Sequence, residues 1–226
     1  MARSLALTVG LATAFLGLSG CGGGDGGNPN GPQQPQQVLT HILSDPQFDG
    51  DIEQTAPGAY TVTQGMSANV QTTFAGIDPN AGTEFRTFLD FPLTGPNGVP
   101  SRAVIDSAFL EFLVDNIEPP NGQVPIRVEL VSFQPPNLIG TDFDRNIQPS
   151  LGAVIVSGDV NPQDIGHFVS VDVTPLMVQA QQLGLVDFQV RVMEDLGPAI
   201  ETLIEIDDST ASDRSQRAPL LTVTYH

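Results

Sequence analysis

Glu84-Phe85-Arg86-Thr87-Phe88-Leu89-Asp90-Phe91 and, after a Pro/Gly-rich break, Val104-Ile105-Asp106-Ser107-Ala108-Phe109-Leu110-Glu111-Phe112-Leu113-Val114 decide the fold. In the first run Phe85, Thr87, Leu89 and Phe91 share one face, and Glu84, Arg86 and Asp90 take the other. In the second, Ala108, Leu110, Phe112 and Val114 point one way, and Ser107, Phe109 and Glu111 the other. A period of two is the signature of a strand with one face on a core. Phe88 breaks the polar side of its strand, which implies either a second covered face or an exposed aromatic.

The same pattern extends in both directions. Residues 38–43, 48–53, 59–63 and 70–77 read as strands upstream, and the cluster Asp78-Pro79-Asn80-Ala81-Gly82 is a strong turn. Downstream, residues 124–133 place Ile126, Val128 and Leu130 inward and Arg127 and Glu129 outward. Residues 153–156, 167–173, 186–192, 203–206 and 220–225 are further strands. A helical turn is expected within residues 138–143. One helix is expected over residues 174–184, with Thr174 as its cap, Pro175 in its first turn and Gly184 ending it. About ten strands separated by Pro, Gly and Asn argue for an antiparallel sheet protein rather than a parallel α/β one. The expected fold is all-β: an antiparallel jelly-roll β-sandwich with one short helix, over residues 38–226.

The N-terminus reads differently. Arg3 precedes an uncharged apolar run, Leu5 to Phe15, which is too short for a membrane span and suits a secretory signal. The run Leu18-Ser19-Gly20-Cys21 contains the only cysteine of the 226 residues and resembles the lipobox of bacterial lipoproteins. That resemblance implies cleavage of residues 1–20, lipidation of Cys21 and anchoring by several acyl chains, since one chain binds a membrane only marginally. Gly22 after the cysteine, rather than an aspartate, implies the outer membrane. Residues 22–37, GGGDGGNPNGPQQPQQ, have no apolar side chain and read as a flexible tether with a mean reach of about 20–25 Å.

The formal charge is −18, with no lysine and eight arginines. Such a chain repels nucleic acid and anionic lipid headgroups. Removing Arg3 with the signal makes it more acidic still. With Cys21 lipidated, no thiol remains for a disulfide or a metal, so the domain depends on its own core.

Three segments are similar, in order, to motifs of the DNRLRE-type domains grouped with carbohydrate-binding module family 96. They are FRTFLDFPL…SRAVIDSAFLEFLV (residues 85–114), FVSVDVTPL (168–176) and RAPLLTVTY (217–225). The first corresponds to a hairpin of that family, and Phe168 stands where the family has another aromatic. The resemblance implies a jelly-roll sandwich of the kind found in glycan-binding modules of secreted proteins. The DNRLRE string is absent, and no binding residue is transferred.

Sugar faces use flat aromatic platforms, and this chain has no Trp and only two tyrosines. Tyr60 is the candidate platform, with Phe88 and Phe109 as secondary candidates. Tyr225 fits the core end of the last strand. Asp49, Asp51 and Glu53 alternate along one strand face, and Asp207-Asp208 forms a second acidic pair. Hard oxygen ligands of this kind suit a structural Ca2+, although their spacing is not that of the twelve-residue calcium loop. A solvated acidic edge that discourages aggregation fits them as well. Catalysis finds no support: there is no G-x-S-x-G elbow, no H-E-x-x-H helix and no lysine for Schiff-base chemistry. The sequence reads as a lipid-anchored, non-enzymatic envelope protein whose partners are the membrane and a polysaccharide or surface protein. The alternatives are a structural envelope lipoprotein without a small ligand, or a polysaccharide-degrading enzyme.

Overall fold

The computed structural model describes residues 35–133, 137–195 and 201–226; the signal segment, Cys21 and most of the tether lie outside the described residues. The strands are β1 (Val38–Leu43), β2 (Gly50–Ala56), β3 (Ala59–Gln64), β4 (Thr72–Ile77), β5 (Glu84–Pro92), β6 (Ile105–Glu118), β7 (Ile126–Val131), β8 (Gly152–Ile155), β9 (Phe168–Asp172), β10 (Asp187–Glu194), β11 (Leu203–Asp207) and β12 (Leu220–Tyr225). The helix α1 (Thr174–Gln182) lies between β9 and β10. Every pair of these strands is antiparallel, in the order β1-β12-β6-β11-β4-β5-β10-β7-β8. The hairpin β2-β3 joins the far edge of β5, and β9 joins β6. The all-β antiparallel class and, among the described residues, the single α-helix are as the sequence indicates.

The sheet curls back on itself, so that its two arms share one core. Ile42, Leu110, Phe112, Leu221 and Val223 belong to the same buried cluster as Leu89, Phe91, Val128, Leu130 and Phe188. These are the alternating residues read from the sequence, now facing one another. β5 and β6 do not form a hairpin: β6 pairs with β12, β11 and β9, while β5 pairs with β2, β4 and β10. Their apolar faces meet across the core, so the loop between them crosses from one arm to the other.

The cap of helix α1 lies one residue earlier than expected. Val173 is the N-cap and makes no side-chain cap. Thr174 is helical, and its hydroxyl accepts the Ala108 N–H at 2.9 Å, which ties the helix to β6. The Asp172 carboxylate takes the Thr174 N–H instead, at 2.9 Å. Gly184 ends the helix as expected: its φ is +67°, and Leu185 N–H closes onto Ala180 C=O at 3.0 Å.

The face of β2, β5, β7 and β10 that points away from the main core is covered too. Residues 137–151, which include a 3-10 turn over Gly140–Phe143, fold across it. Beneath them lies a second apolar cluster of Ile52, Phe88, Val131, Phe133, Leu138 and Phe143, with Tyr60 packed against it. Phe88 is therefore a core residue, fully buried and edge-on to Phe133 at 5.8 Å between ring centres. Glu129, expected to point to solvent, is 0% exposed for the same reason.

Candidate functional site

The covered second face ends in an open groove of about 740 Å³, lined by Tyr60, Gln54, Arg86, Arg145, Asn146 and their neighbours. The β2-β3 hairpin builds one wall. Its register sets Gln54 opposite Tyr60, and the Gln54 amide donates to the tyrosine hydroxyl at 3.4 Å. The Tyr60 ring lies 5.3 Å from Phe143, tilted by 40°. Gly140 allows this approach, because a Cβ there would stand 2.9 Å from the Cβ of Tyr60.

Arg86 on β5 forms the floor. Its guanidinium lies 3.9 Å over the Phe143 ring, donates to Glu84 at 2.7 Å and also donates to the Phe143 carbonyl. A planar cation stacked on an aromatic and bonded at its edges is fixed in orientation.

The opposite wall hangs on Glu129. Arg191 donates to Glu129 Oε2 at 2.6 and 3.1 Å, Arg127 donates to Oε1 at 2.9 Å, and Arg145 reaches Oε1 at 2.8 Å. Burial raises the Glu129 carboxyl, but the hydrogen bonds and charges of Arg191, Arg145 and Arg127 outweigh it and hold the group below its ordinary value. Arg191 also donates to the backbone carbonyls of Asp142 and Gln148, at 2.6 and 3.2 Å, which pins the covering segment to the sheet. Arg145 is thereby held at the groove while its side chain keeps about a third of its exposure. Asn146 is set by its own turn, donating from both N and Nδ2 to Asp144 Oδ1 at 2.8 and 3.0 Å. The groove thus offers one aromatic wall and several planar amide and guanidinium donors that are already oriented, the arrangement that suits a polyhydroxylated ligand. Two of the eight arginines, Arg86 and Arg145, line the groove, and Arg127 and Arg191 join Arg145 on Glu129 behind it.

Of the aromatic candidates, Tyr60 lies in this groove, Phe88 is buried beneath it, and Phe109 is elsewhere. Phe109 is 38% exposed on the outer face of β6, between Thr222 of β12 and Asp172 of β9. Sequence reasoning missed Arg86, Arg145 and Gln54. Arg86 alternates with apolar residues and so reads as solvent-facing, while Gln54 and Arg145 stand in polar stretches that carry no such signal.

The acidic candidates fall in separate places. Asp49 and Asp208 meet in the interior: Asp49 Oδ1 accepts the Asp90 N–H at 2.8 Å, and Asp208 Oδ1 accepts from Arg214 at 2.5 Å. Burial, then the charge of Asp208, raises Asp49 well above the usual carboxylate range; burial raises Asp208 as well. Both Oδ2 atoms lack a hydrogen-bond partner, which accords with carboxyls pushed toward their neutral form. Asp207 instead pairs with Arg217 and accepts the Ser209 N–H at 2.9 Å. Asp51 is buried against the Phe74 backbone, and Glu53 stands further along β2. The Asp49–Asp208 pair does not suit Ca2+: Arg214 stands 3.7 Å from Asp49 Oδ2. Among the described residues no three His, Cys, Asp or Glu groups converge to hold a metal ion.

The class defined by this geometry is an all-β antiparallel domain with a preorganised polar groove on its second covered face. No protein-family model matches the chain, and no curated protein matches it.

Proposed function

We propose that the chain is a lipoprotein of the cell envelope, tethered through Cys21, whose β domain is a non-catalytic module that holds a glycan in the Tyr60–Arg145 groove. The observation that carries the reading is the groove itself. An aromatic ring and fixed planar donors line one concavity, and a fully buried Glu129 holds the arginines in place. Sugar hydroxyls pair well with bidentate amide and guanidinium groups, and a pyranose face stacks on an aromatic ring. The anchor rests on the lipobox resemblance of Leu18 to Cys21 and on the polar run that follows it.

A panel of neutral and acidic polysaccharides, titrated calorimetrically against wild type and Tyr60→Ala, tests the binding role. At least one glycan should bind, and the substitution should weaken it about tenfold, the loss of roughly 1.4 kcal/mol expected for one aromatic contact. Absence of binding across the panel would leave the structural-lipoprotein role. Fractionation of a Cys21→Ser variant away from membranes checks the anchor separately.

A further inference from the structure

We infer that the end of the domain formed by the 93–101 loop, the C-terminal end of α1 and Tyr225 rests on the lipid surface to which the tether leads. This inference depends on the anchor reading above and not on the glycan reading.

A hollow of about 510 Å³ opens at this end, with Leu93, Val99 and Met177 in its floor and Leu185, Val186 and Tyr225 in its walls. No residue lining it is charged, in a chain of formal charge −18. Apolar side chains stand exposed around it. Leu183 and Val186 flank the helix stop, Val38 and Leu39 pair with Tyr225 and Thr224, and Val104 exchanges backbone bonds with His226. Their exposures run from 41% for Val38 to 61% for Val186, and they are five of the eleven large apolar residues left exposed among the described residues. Arg102 and Asp187 adjoin the hollow in sequence. Asp106 is engaged by the Gln37 amide at 3.1 Å and by His226 at 3.0 Å. An uncharged end with opposite charges at its margin is where a strongly acidic domain meets least repulsion from a bilayer.

The chain reaches the domain at this same end. Val38 lies opposite Tyr225, and the Thr40 hydroxyl donates to the Asn97 carbonyl of the 93–101 loop at 2.6 Å. Between Cys21 and the first described residue, Pro35, the chain is rich in Gly, Pro and Gln. A run of that length cannot span more than about 50 Å even when fully extended. A lipid on Cys21 therefore keeps this end near the bilayer, and a linker this short gives an effective concentration in the range of mM. Weak apolar contacts that would not hold a free domain suffice at that concentration.

The chain contains no tryptophan, so one introduced residue reports alone. The full lipidated chain carrying Val186→Trp is reconstituted in phosphatidylcholine vesicles with brominated acyl chains. Ile155→Trp, at an exposed position on β8, is the control. The Val186→Trp emission should shift to the blue and lose at least half its intensity to bromine, while the Ile155→Trp emission stays unquenched. Equal quenching of the two, or none, in protein that sediments with the vesicles overturns the inference and leaves the anchor standing. Protein that stays in the supernatant sinks the anchor. The inference, which rests on the anchor, falls with it. Matching circular dichroism of the two variants and wild type establishes that all three are folded.

Discussion

Asp51→Asn should remove a pH-dependent loss of stability. Asp51 sits at the start of β2, 3% exposed, between Thr63 on one neighbouring strand and Thr87 on the other. Burial raises its carboxyl from 3.8 to about 7; the Phe74 backbone N–H opposes the rise, and Glu53 adds to it. A folded-state value above the unfolded one means that the protonated form is favoured in the fold. The stability this gives is fully present below 3.8 and is lost as pH climbs through about 7. The shift is about three units, and at about 1.4 kcal/mol per unit the loss approaches 4 kcal/mol. Local relaxation and water entry reduce this to about 2–3 kcal/mol. Asparagine keeps an oxygen for the Phe74 N–H and never ionises. Thermal unfolding followed by circular dichroism at pH 4, 6 and 8, at constant ionic strength, should give variant and wild type similar Tm values at pH 4. At pH 8 the variant should be higher by roughly 5–10 °C, at about 2–4 °C per kcal/mol for a domain of this size. Subtracting wild type from variant cancels the other titrating groups. A Tm difference that is the same at all three pH values would refute the reasoning, because it would show that Asp51 does not change protonation across the range.

Other outcomes follow from the same interior. Burial also raises Asp90 to about 6 and Glu194 to about 7, so the wild-type Tm should fall between pH 5 and pH 8, as a pH series of melts would show. Glu129→Gln leaves Arg191 without its counter-charge, and Arg191 is fully buried, unlike Arg127 and Arg145, which can turn to solvent. Urea unfolding should show a loss of about 3–5 kcal/mol, most of it absent when Arg191 is replaced by Met in the same chain. Gly140→Ala puts a methyl group 2.9 Å from the Tyr60 Cβ. The displaced ring should cost about 1–3 kcal/mol in stability and weaken glycan binding in the same titration that tests Tyr60→Ala.

The alternation of residues 85–91 and 104–114 was enough to give the strand class and to place Leu89, Phe91, Ala108, Leu110, Phe112 and Val114 in the main core, although Phe85, read on the same face, is only half-buried and packs on Phe74. It works because a strand has a strict period of two, and the apolar set of each strand can be buried only on one face. Gly184 marked the helix end because a positive φ there favours glycine. Local patterns of this kind are read within a few residues.

What the pattern could not carry was the fate of the polar faces. Alternation separates two faces, but it does not say whether the second meets water or another segment. Arg86, Glu129 and Arg191 look solvent-facing in sequence, yet they are buried because residues 137–151 lie over them: backbone carbonyls there accept from Arg86 and Arg191, and Glu129 accepts from Arg191 and Arg127. Asp49 and Asp208 belong to one buried pair although they sit far apart in the chain, as do Ser44 and Asp208, 164 residues apart. Burying a charge requires a partner, and the partners here come from distant segments whose meeting is set by the curl of the sheet. The groove that Tyr60 shares with Arg86 and Arg145 arises from that meeting, which is why only one of its members could be named from the sequence.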